Sequence, residues 1–360
     1  MRCPEKLRHT GEKGMPELKM VLLDPLDARW VDLTVSQPHA NIFHHPAWTK
    51  LLSECYGYRS FVVAICDAGN NIYAGLPMME VGCLLTGRRW ISLPFTDHCA
   101  PLYDGAESLS CLADSIIHLS KDQRTPKIEL RCEFPSHPAI RSYSNHVLHT
   151  LPLCPDSDLV AVRFHSTHRR NIKVAYKRGV RIKRGDQQKH MDAFYRLHLQ
   201  TRRRQGVPIQ PRRFFDIIQS SLIEKGLGFV LLAYKNDDCL AASVFLHWQS
   251  TLTYKFGASA AESLHFRPNN LLFWSAIHWG CEHGYTLFDM GKTDLSNTGL
   301  RAFKSSFGAE EVSIAYSTMS SEPSRPITGK FIPIMQKTIR SSPLWVCQAM
   351  GELLYKHFGS

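Results

Sequence analysis

The sequence lacks most of the patterns that announce a chemistry. None of its 11 cysteines forms a C-x-x-C pair, which excludes the common zinc and dithiol frameworks. An odd number of cysteines, scattered from Cys3 to Cys347, reads as reduced thiols of a cytoplasmic protein. His165 and His168 make an H-x-x-H, but no glutamate or further ligand motif accompanies it, so no metal site is expected. No run approaches the ~20 apolar residues of a membrane span. The opening MRCPEKLRHTGEKGM has no apolar core of the kind a signal peptide needs.

What the chain does have is positive charge. Its 43 Lys and Arg against 32 Asp and Glu give a net charge of +11, and the pI is about 9.1. Partners are therefore expected to be anionic. Residues 163–213 concentrate this excess, with 16 basic residues and 2 acids. Arg170, Lys173 and Lys177 recur at the spacing of one helix face. A second run, Arg202-Arg203-Arg204, closes the next amphipathic stretch. A basic run is often only a solvated face. Two runs flanking one short stretch favour an anion site, because guanidinium forks match phosphate oxygens. Arg169, Arg170, Lys173, Arg202 and Arg204 are accordingly predicted to form one positive, phosphate-binding surface.

A length of 360 residues allows two ordinary domains, and 44% hydrophobic with 21% charged residues is the balance of a soluble globular protein. Helices are expected to open at Asp24-Pro25 and near Pro46. A buried strand over 60–66, a turn at Gly69-Asn70-Asn71 and a strand over 72–81 read as a hairpin. A strand over 89–93, a turn-rich loop to Pro101, a helix over 107–120 and a strand over 127–132 follow. The hairpin recurs weakly at 229–244, which suggests two copies of one α/β unit. The stretch from 251 to 311 then reads as a strand, a helix opened by Pro268 and closed by Gly284, a short strand carrying Asp289, a turn at Gly291 and a short helix presenting Phe303 and Lys304. Pattern alone leaves two readings of Asp289 and Lys304: a site, or a turn cap and a solvated lysine.

Four of these stretches carry a resemblance. They are Tyr254-Lys255-Phe256-Gly257-Ala258-Ser259, Arg267-Pro268-Asn269-Asn270-Leu271-Leu272, Phe288-Asp289-Met290-Gly291 and Phe303-Lys304-Ser305-Ser306-Phe307-Gly308. In order and spacing they resemble the FemAB-like branch of the GNAT acyltransferase superfamily. The similarity runs from about Phe43 to about Ala315 and is nearest to FemAB-related proteins found with exopolysaccharide and exosortase systems. It implies an α/β fold of two tandem GNAT-like domains with mixed sheets flanked by helices. Residues 1–19 are read as a disordered extension, 20–155 as the first domain and 156–320 as the second, with the catalytic cleft. Residues 321–360 form an amphipathic helical tail with an apolar face of Val346, Met350, Leu353 and Leu354. The tail either packs on the second domain or lies on an anionic membrane surface. The long helical arm of some family members has no counterpart here, which argues against tRNA contact through an arm.

The activity this resemblance implies is transfer of an acyl or aminoacyl group to an amine on a cell-envelope precursor or exopolysaccharide intermediate. The residues matching the family's Phe-Lys pair are Phe303 and Lys304, with Lys304 as donor to the oxyanion of the tetrahedral intermediate. Asp97, on the acceptor side, and Asp289 are the acids to weigh. Tyr254, Lys255, Asn269 and Asn270 are the motif residues expected to touch substrate. Acetyl-CoA-dependent GNAT enzymes carry an R/Q-x-x-G-x-G/A loop that cradles pyrophosphate, and no good copy is present. No tightly bound cofactor is expected, and aminoacyl-tRNA or acyl-CoA are the candidate co-substrates. The expected acceptor is an anionic or phosphorylated lipid-linked glycan, met in the cytoplasm or at the inner face of the membrane. Two alternatives stand beside this: an acyl-CoA-dependent sugar N-acyltransferase, and a non-catalytic GNAT scaffold that binds an anionic polysaccharide or lipid intermediate.

Overall fold

Capping residues set the first helices. Asp27 accepts the Arg29 amide (3.0 Å) to start α1 (Ala28–Ser36). Pro46 sits in the first turn of α2 (Pro46–Tyr56), and Gly57 ends it in the left-handed region (φ 74°). The structure, a computed structural model, describes residues 17–83, 87–319 and 331–358. These fall into two units, one of 17–144 with 314–319 and the other of 145–313 with 331–358. Of the expected N-terminal extension only 17–19 are described, and a strand already begins at Lys19.

The first unit runs β1 (Lys19–Leu23), α1, α2, β2 (Arg59–Cys66), β3 (Ile72–Cys83), β4 (Gly87–Ile91), a short β5 (Leu102–Tyr103), α3 (Ala106–Lys121) and β6 (Lys127–Leu130). The second runs β7 (Arg141–Pro152), α4 (Ser157–Val162), α5 (Ser166–Lys177), β8 (Arg181–Gly185), α6 (Gln188–Gln205), α7 (Arg212–Ile218), β9 (Gly228–Lys235), β10 (Asp238–Trp248), β11 (Thr251–Ser259), α8 (Pro268–Glu282), β12 (Leu287–Asp294) and α9 (Thr298–Ser305). The chain continues as β13 (Glu310–Met319), α10 (Phe331–Ser341) and α11 (Leu344–Leu354).

In the first unit the strands lie in the order β1-β2-β3-β4-β6-β13. All neighbours are antiparallel except β4 and β6. In the second the order is β8-β9-β10-β11-β12-β7, antiparallel except for β11 and β12. The two units thus share one plan: a strand, two helices, three antiparallel strands, a helix, and a return strand parallel to the last. The boundary differs from the expected 155. Residues 146–152 pair with β12 (His146 with Asp294, Pro152 with Leu287), so β7 is a strand of the second sheet. Ser317–Met319 pair with β6 and leave the second unit for the first.

Strand alternation decides what each face buries. Phe61, Val63 and Ile65 of β2, with Trp90, Ile128 and Leu130, pack under α3. In the second unit Phe229, Leu231 and Ala233 of β9 join Ile172 and Ala175 of α5 and Leu272, Ala276 and Ile277 of α8. The opposite face is covered by α6 and α7, whose His198, Phe214 and Phe215 surround Phe256. Of the two expected placements of the tail, α10 and α11 pack on α6. Arg340 donates to the Gln205 carbonyl (3.2 Å), and the Glu352 carboxylate accepts the Arg212 amide (2.7 Å).

Candidate functional site

The plan of the second unit breaks where its two parallel strands part. Thr251, Leu252 and Thr253 of β11 lie opposite Leu287, Phe288 and Asp289 of β12. Beyond that point β11 runs on to Ser259 with β10 as its strand partner and with Thr201 and Arg204 of α6 bonded to Ser259, while β12 stays paired with β7. A bulge in β11 inserts Lys255 between the pairs Phe245–Tyr254 and Val244–Phe256. The extra residue flips the alternation. Tyr254 therefore faces α8, with its ring 4.7 Å from Phe273, whereas Phe256 turns to α6 and α7.

Tyr254 is the first β11 residue past the last parallel pair. Its hydroxyl lies over Gly257, where a Cβ would come within 2.0 Å of the oxygen. Burial pushes this phenol up to about 12, so it holds its proton at neutral pH. Among the described residues no hydrogen bond engages it. Lys255 is half-buried, its ammonium 5.6 Å from the Phe256 ring.

The β12 side is built from Asp289, Gly291 and Lys304. Asp289 is buried and accepts the Gly291 amide (2.7 Å), where Gly291 takes φ 73°. Only glycine adopts that geometry without strain. Lys304 of α9 is 2% exposed. Its ammonium donates to the Gly291 carbonyl (2.8 Å), the Lys292 carbonyl (3.3 Å) and the Thr293 hydroxyl (2.8 Å). The resemblance placed this ammonium toward a donor carbonyl. In this structure the ammonium clamps α9 onto the turn of β12. Phe303 likewise packs, 5.2 Å from both His168 and Phe273.

Asn269 and Asn270 occupy the first turn of α8, after Arg267 in the left-handed region (φ 61°) and Pro268 at the first position. No side chain caps this helix. Asn269 is half-buried. Asn270 is buried, and its amide donates to His168 Nδ1 (2.8 Å), tying α8 to α5. Burial depresses His168 to about 4, which keeps the imidazole neutral and its Nδ1 an acceptor.

The five basic residues do not form one surface. Arg169, Arg170 and Lys173 are exposed on α5, over the α8 face of the sheet. Arg202 and Arg204 belong to α6, on the other face. Arg202 turns both Nε (2.9 Å) and Nη2 (2.7 Å) onto the Pro208 carbonyl, and burial lowers its pKa. Arg204 donates to the Ser259 carbonyl (3.2 Å). Asp97 lies in the first unit, half-buried, and its backbone carbonyl accepts the Tyr316 hydroxyl (2.7 Å).

Two features escaped the sequence reading. A cavity of about 510 Å³ opens beside the segment that leads into α8, lined by Gln200, Lys235, Asp238, Glu262, Ser263 and Phe266. With two carboxylates against one ammonium it suits an amine better than a phosphate. The other is the alternating Lys127-Ile128-Glu129-Leu130-Arg131, whose charged positions are buried in part; that i, i+2 pattern was the available signal. Among the described residues no three His, Cys, Asp or Glu are placed to hold a metal, and no helix is long and apolar enough to cross a membrane.

Residues 163–305 match the model of the Acetyltransferase (GNAT) domain. This segment of the second unit thus carries a GNAT-type acetyltransferase domain. It spans α5 to α9 and includes the parted strands, and domains of this kind usually take acyl-CoA as co-substrate. No curated protein matches the sequence. Solved structures share the fold over both units. FemX is 15% identical with a TM-score of 0.66, the match covering 83% of this chain and 96% of FemX. L-PGS from Bacillus licheniformis is 13% identical with a TM-score of 0.55, covering 89% and 99%. A tandem GNAT protein from the clavulanic acid biosynthesis pathway is 11% identical with a TM-score of 0.52, covering 85% and 100%. The FemX and tandem GNAT likenesses are likenesses of fold.

Proposed function

We propose that the protein transfers an acyl or aminoacyl group from an activated ester or thioester to an amine of an anionic cell-envelope or exopolysaccharide intermediate. The observation that carries this reading is the parting of β11 from β12 beside the Tyr254 hydroxyl. The β11 edge that faces β12 loses its strand partner after Thr253. Backbone N–H groups on such an edge need acceptors. A carbonyl held along it gains donors for its oxygen as the tetrahedral intermediate forms. The neutral Tyr254 hydroxyl supplies the proton that the departing thiolate or alkoxide requires. A neutral amine needs no base to attack, and the proton it loses on becoming an amide restores the Tyr254 hydroxyl.

The donor question turns on α8. Its uncapped first turn favours negative charge. Yet no glycine lies between Gly257 and Gly280, and Pro268 has no N–H to offer. A tight pyrophosphate cradle is therefore poorly provided for, which favours an aminoacyl ester such as aminoacyl-tRNA beside the acyl-CoA usual for the domain. The exposed Arg169, Arg170 and Lys173 favour a phosphate-bearing acceptor, and a lipid-linked glycan at the inner membrane face fits that chemistry.

The test is incubation of the purified protein with acyl-CoA or charged tRNA and with amino-sugar acceptors on nucleotide or lipid carriers, followed by mass spectrometry. One donor class is expected to add its acyl mass to an amine-bearing acceptor. No mass gain with either class would refute the proposal.

A further inference from the structure

The first unit holds a charged cluster that the acyl-transfer site does not use. It lies on the sheet face opposite α3. Ile128 and Leu130 point into the core under α3, so Glu129 and Arg131 point the other way, together with Arg89 from the parallel neighbour β4. The three side chains are only 12%, 11% and 7% exposed for Arg89, Glu129 and Arg131. Arg131 Nη2 bonds Glu129 Oε1 at 3.1 Å. Arg89 Nη1 stops 3.6 Å from Glu129 Oε2, beyond hydrogen-bond reach.

One carboxylate thus faces two guanidinium groups, which cannot lose their protons. The donors are also in excess. Arg89 Nε, Arg89 Nη2 and Arg131 Nε are buried without a hydrogen-bond partner. A purely structural buried ion cluster survives by satisfying its donors, and this one leaves three unmet. The Arg131 guanidinium lies 4.8 Å over the Tyr316 ring, and the Tyr316 hydroxyl is committed to the Asp97 carbonyl. Arg131 is thereby fixed, whereas Arg89 has no such anchor. Tyr143, 39% exposed, stands edge-on to Tyr316 at 6.0 Å and links the cluster to the surface.

We propose that Arg89 and Arg131 form an oxyanion site in the first unit, occupied by a phosphate group of a substrate or ligand, with Arg89 as the arm that moves to meet it. The cluster's excess of positive charge favours an anion, and its three unmet donors match the three free oxygens of a phosphate monoester. Glu129 holds the two forks apart. The site requires binding alone, so it stands or falls independently of the acyl-transfer reading.

The test uses the full chain at constant ionic strength. Thermal unfolding and calorimetric titration are run with inorganic phosphate, with pyrophosphate and with acetate, for the wild type, Arg89→Gln, Arg131→Gln and the exposed control Arg124→Gln. Phosphate or pyrophosphate is expected to raise the melting temperature of the wild type and of Arg124→Gln by several degrees. Arg89→Gln should bind at least tenfold more weakly, yet melt, without anion, no lower than the wild type, because an unsatisfied charge has gone. Should Arg131→Gln fail to fold, Arg89→Gln carries the test alone. Affinity unchanged in Arg89→Gln, or no phosphate effect on the wild type, would overturn the site. An equal response to acetate would overturn the assignment to phosphate.

Discussion

Each unit has one parallel strand pair, and the two pairs end in opposite ways. In the first unit the last pairing is Ile91 with Glu129, and the chain then stitches the gap closed. The Ser92 amide donates to the Glu129 carbonyl (2.9 Å), the Arg131 amide to the Ser92 hydroxyl (2.6 Å) and the Cys99 amide to the Arg131 carbonyl (3.2 Å). In the second unit the last pairing is Thr253 with Asp289, and the strands then separate. Both pairs place a buried acid at the same topological position. Glu129 faces two arginines, whereas Asp289 secures the Gly291 amide and with it the turn that Lys304 clamps. One plan has therefore produced a closed pair that keeps an ion cluster and an open pair with a free hydroxyl. The joints, not the plan, distinguish the two units.

The sharpest way to break this contrast is to remove its anchors. Glu129→Gln leaves two guanidinium groups without a counter-charge, and a loss of about 3–5 kcal/mol in unfolding free energy is expected. Lys304→Met keeps the stem's packing but strands two carbonyls and a hydroxyl, at about 2–4 kcal/mol. Urea unfolding measures both. A Lys304→Met protein as stable as the wild type, with transfer lost, would return the lysine to the role of oxyanion donor.

Acid sharpens the same contrast with a smaller effect. Burial depresses His44 in the first unit to about 4, and His168 and His198 in the second to about 4 and about 3. Below the ordinary histidine range near 6.5 the unfolded chain takes up protons that the native state refuses. Stability should therefore fall as pH drops from about 6.5 toward 4, by up to about 1.4 kcal/mol per pH unit for each histidine. The second unit, where burial depresses His247 to about 4 as well, has three such groups and should melt first. Melting curves followed by hydrogen exchange between pH 7 and 4.5 measure this, and a pH-independent profile would contradict it.

Much of this plan was legible in the sequence. The hairpins, α3 and the strand–helix–strand–helix run from 251 to 305 follow from apolar periodicity and from Pro268, Gly284 and Gly291. β7 was not legible, because Ser144, Asn145 and His146 are poor strand formers and its inward position 149 is a histidine, fully buried against Glu311 (3.0 Å). That strand moved the boundary from 155 to 144. The site was legible in part. Tyr254, Asn270, Asp289, Phe303 and Lys304 do cluster in one unit. Their roles depend on hydrogen bonds that spacing does not encode: Lys304 donates to backbone, and Asn270 to His168. The single-residue bulge at Lys255, which aims Tyr254 and Phe256 at opposite faces, leaves no mark in the alternation of 251–256. The basic runs misled because α5 and α6 lie on opposite faces of a sheet whose strands come from elsewhere in the chain.

The central claim is that the parted strands of the second unit transfer an acyl group with the help of the Tyr254 hydroxyl. Steady-state kinetics of Tyr254→Phe test it most directly, using whichever donor and acceptor give product. The ring's contact with Phe273 is kept, so the melting temperature should not change. The catalytic constant is expected to fall by roughly 10²–10⁴-fold, with little change in the Michaelis constants. A Tyr254→Phe protein with a catalytic constant within about twofold of the wild type would contradict the account.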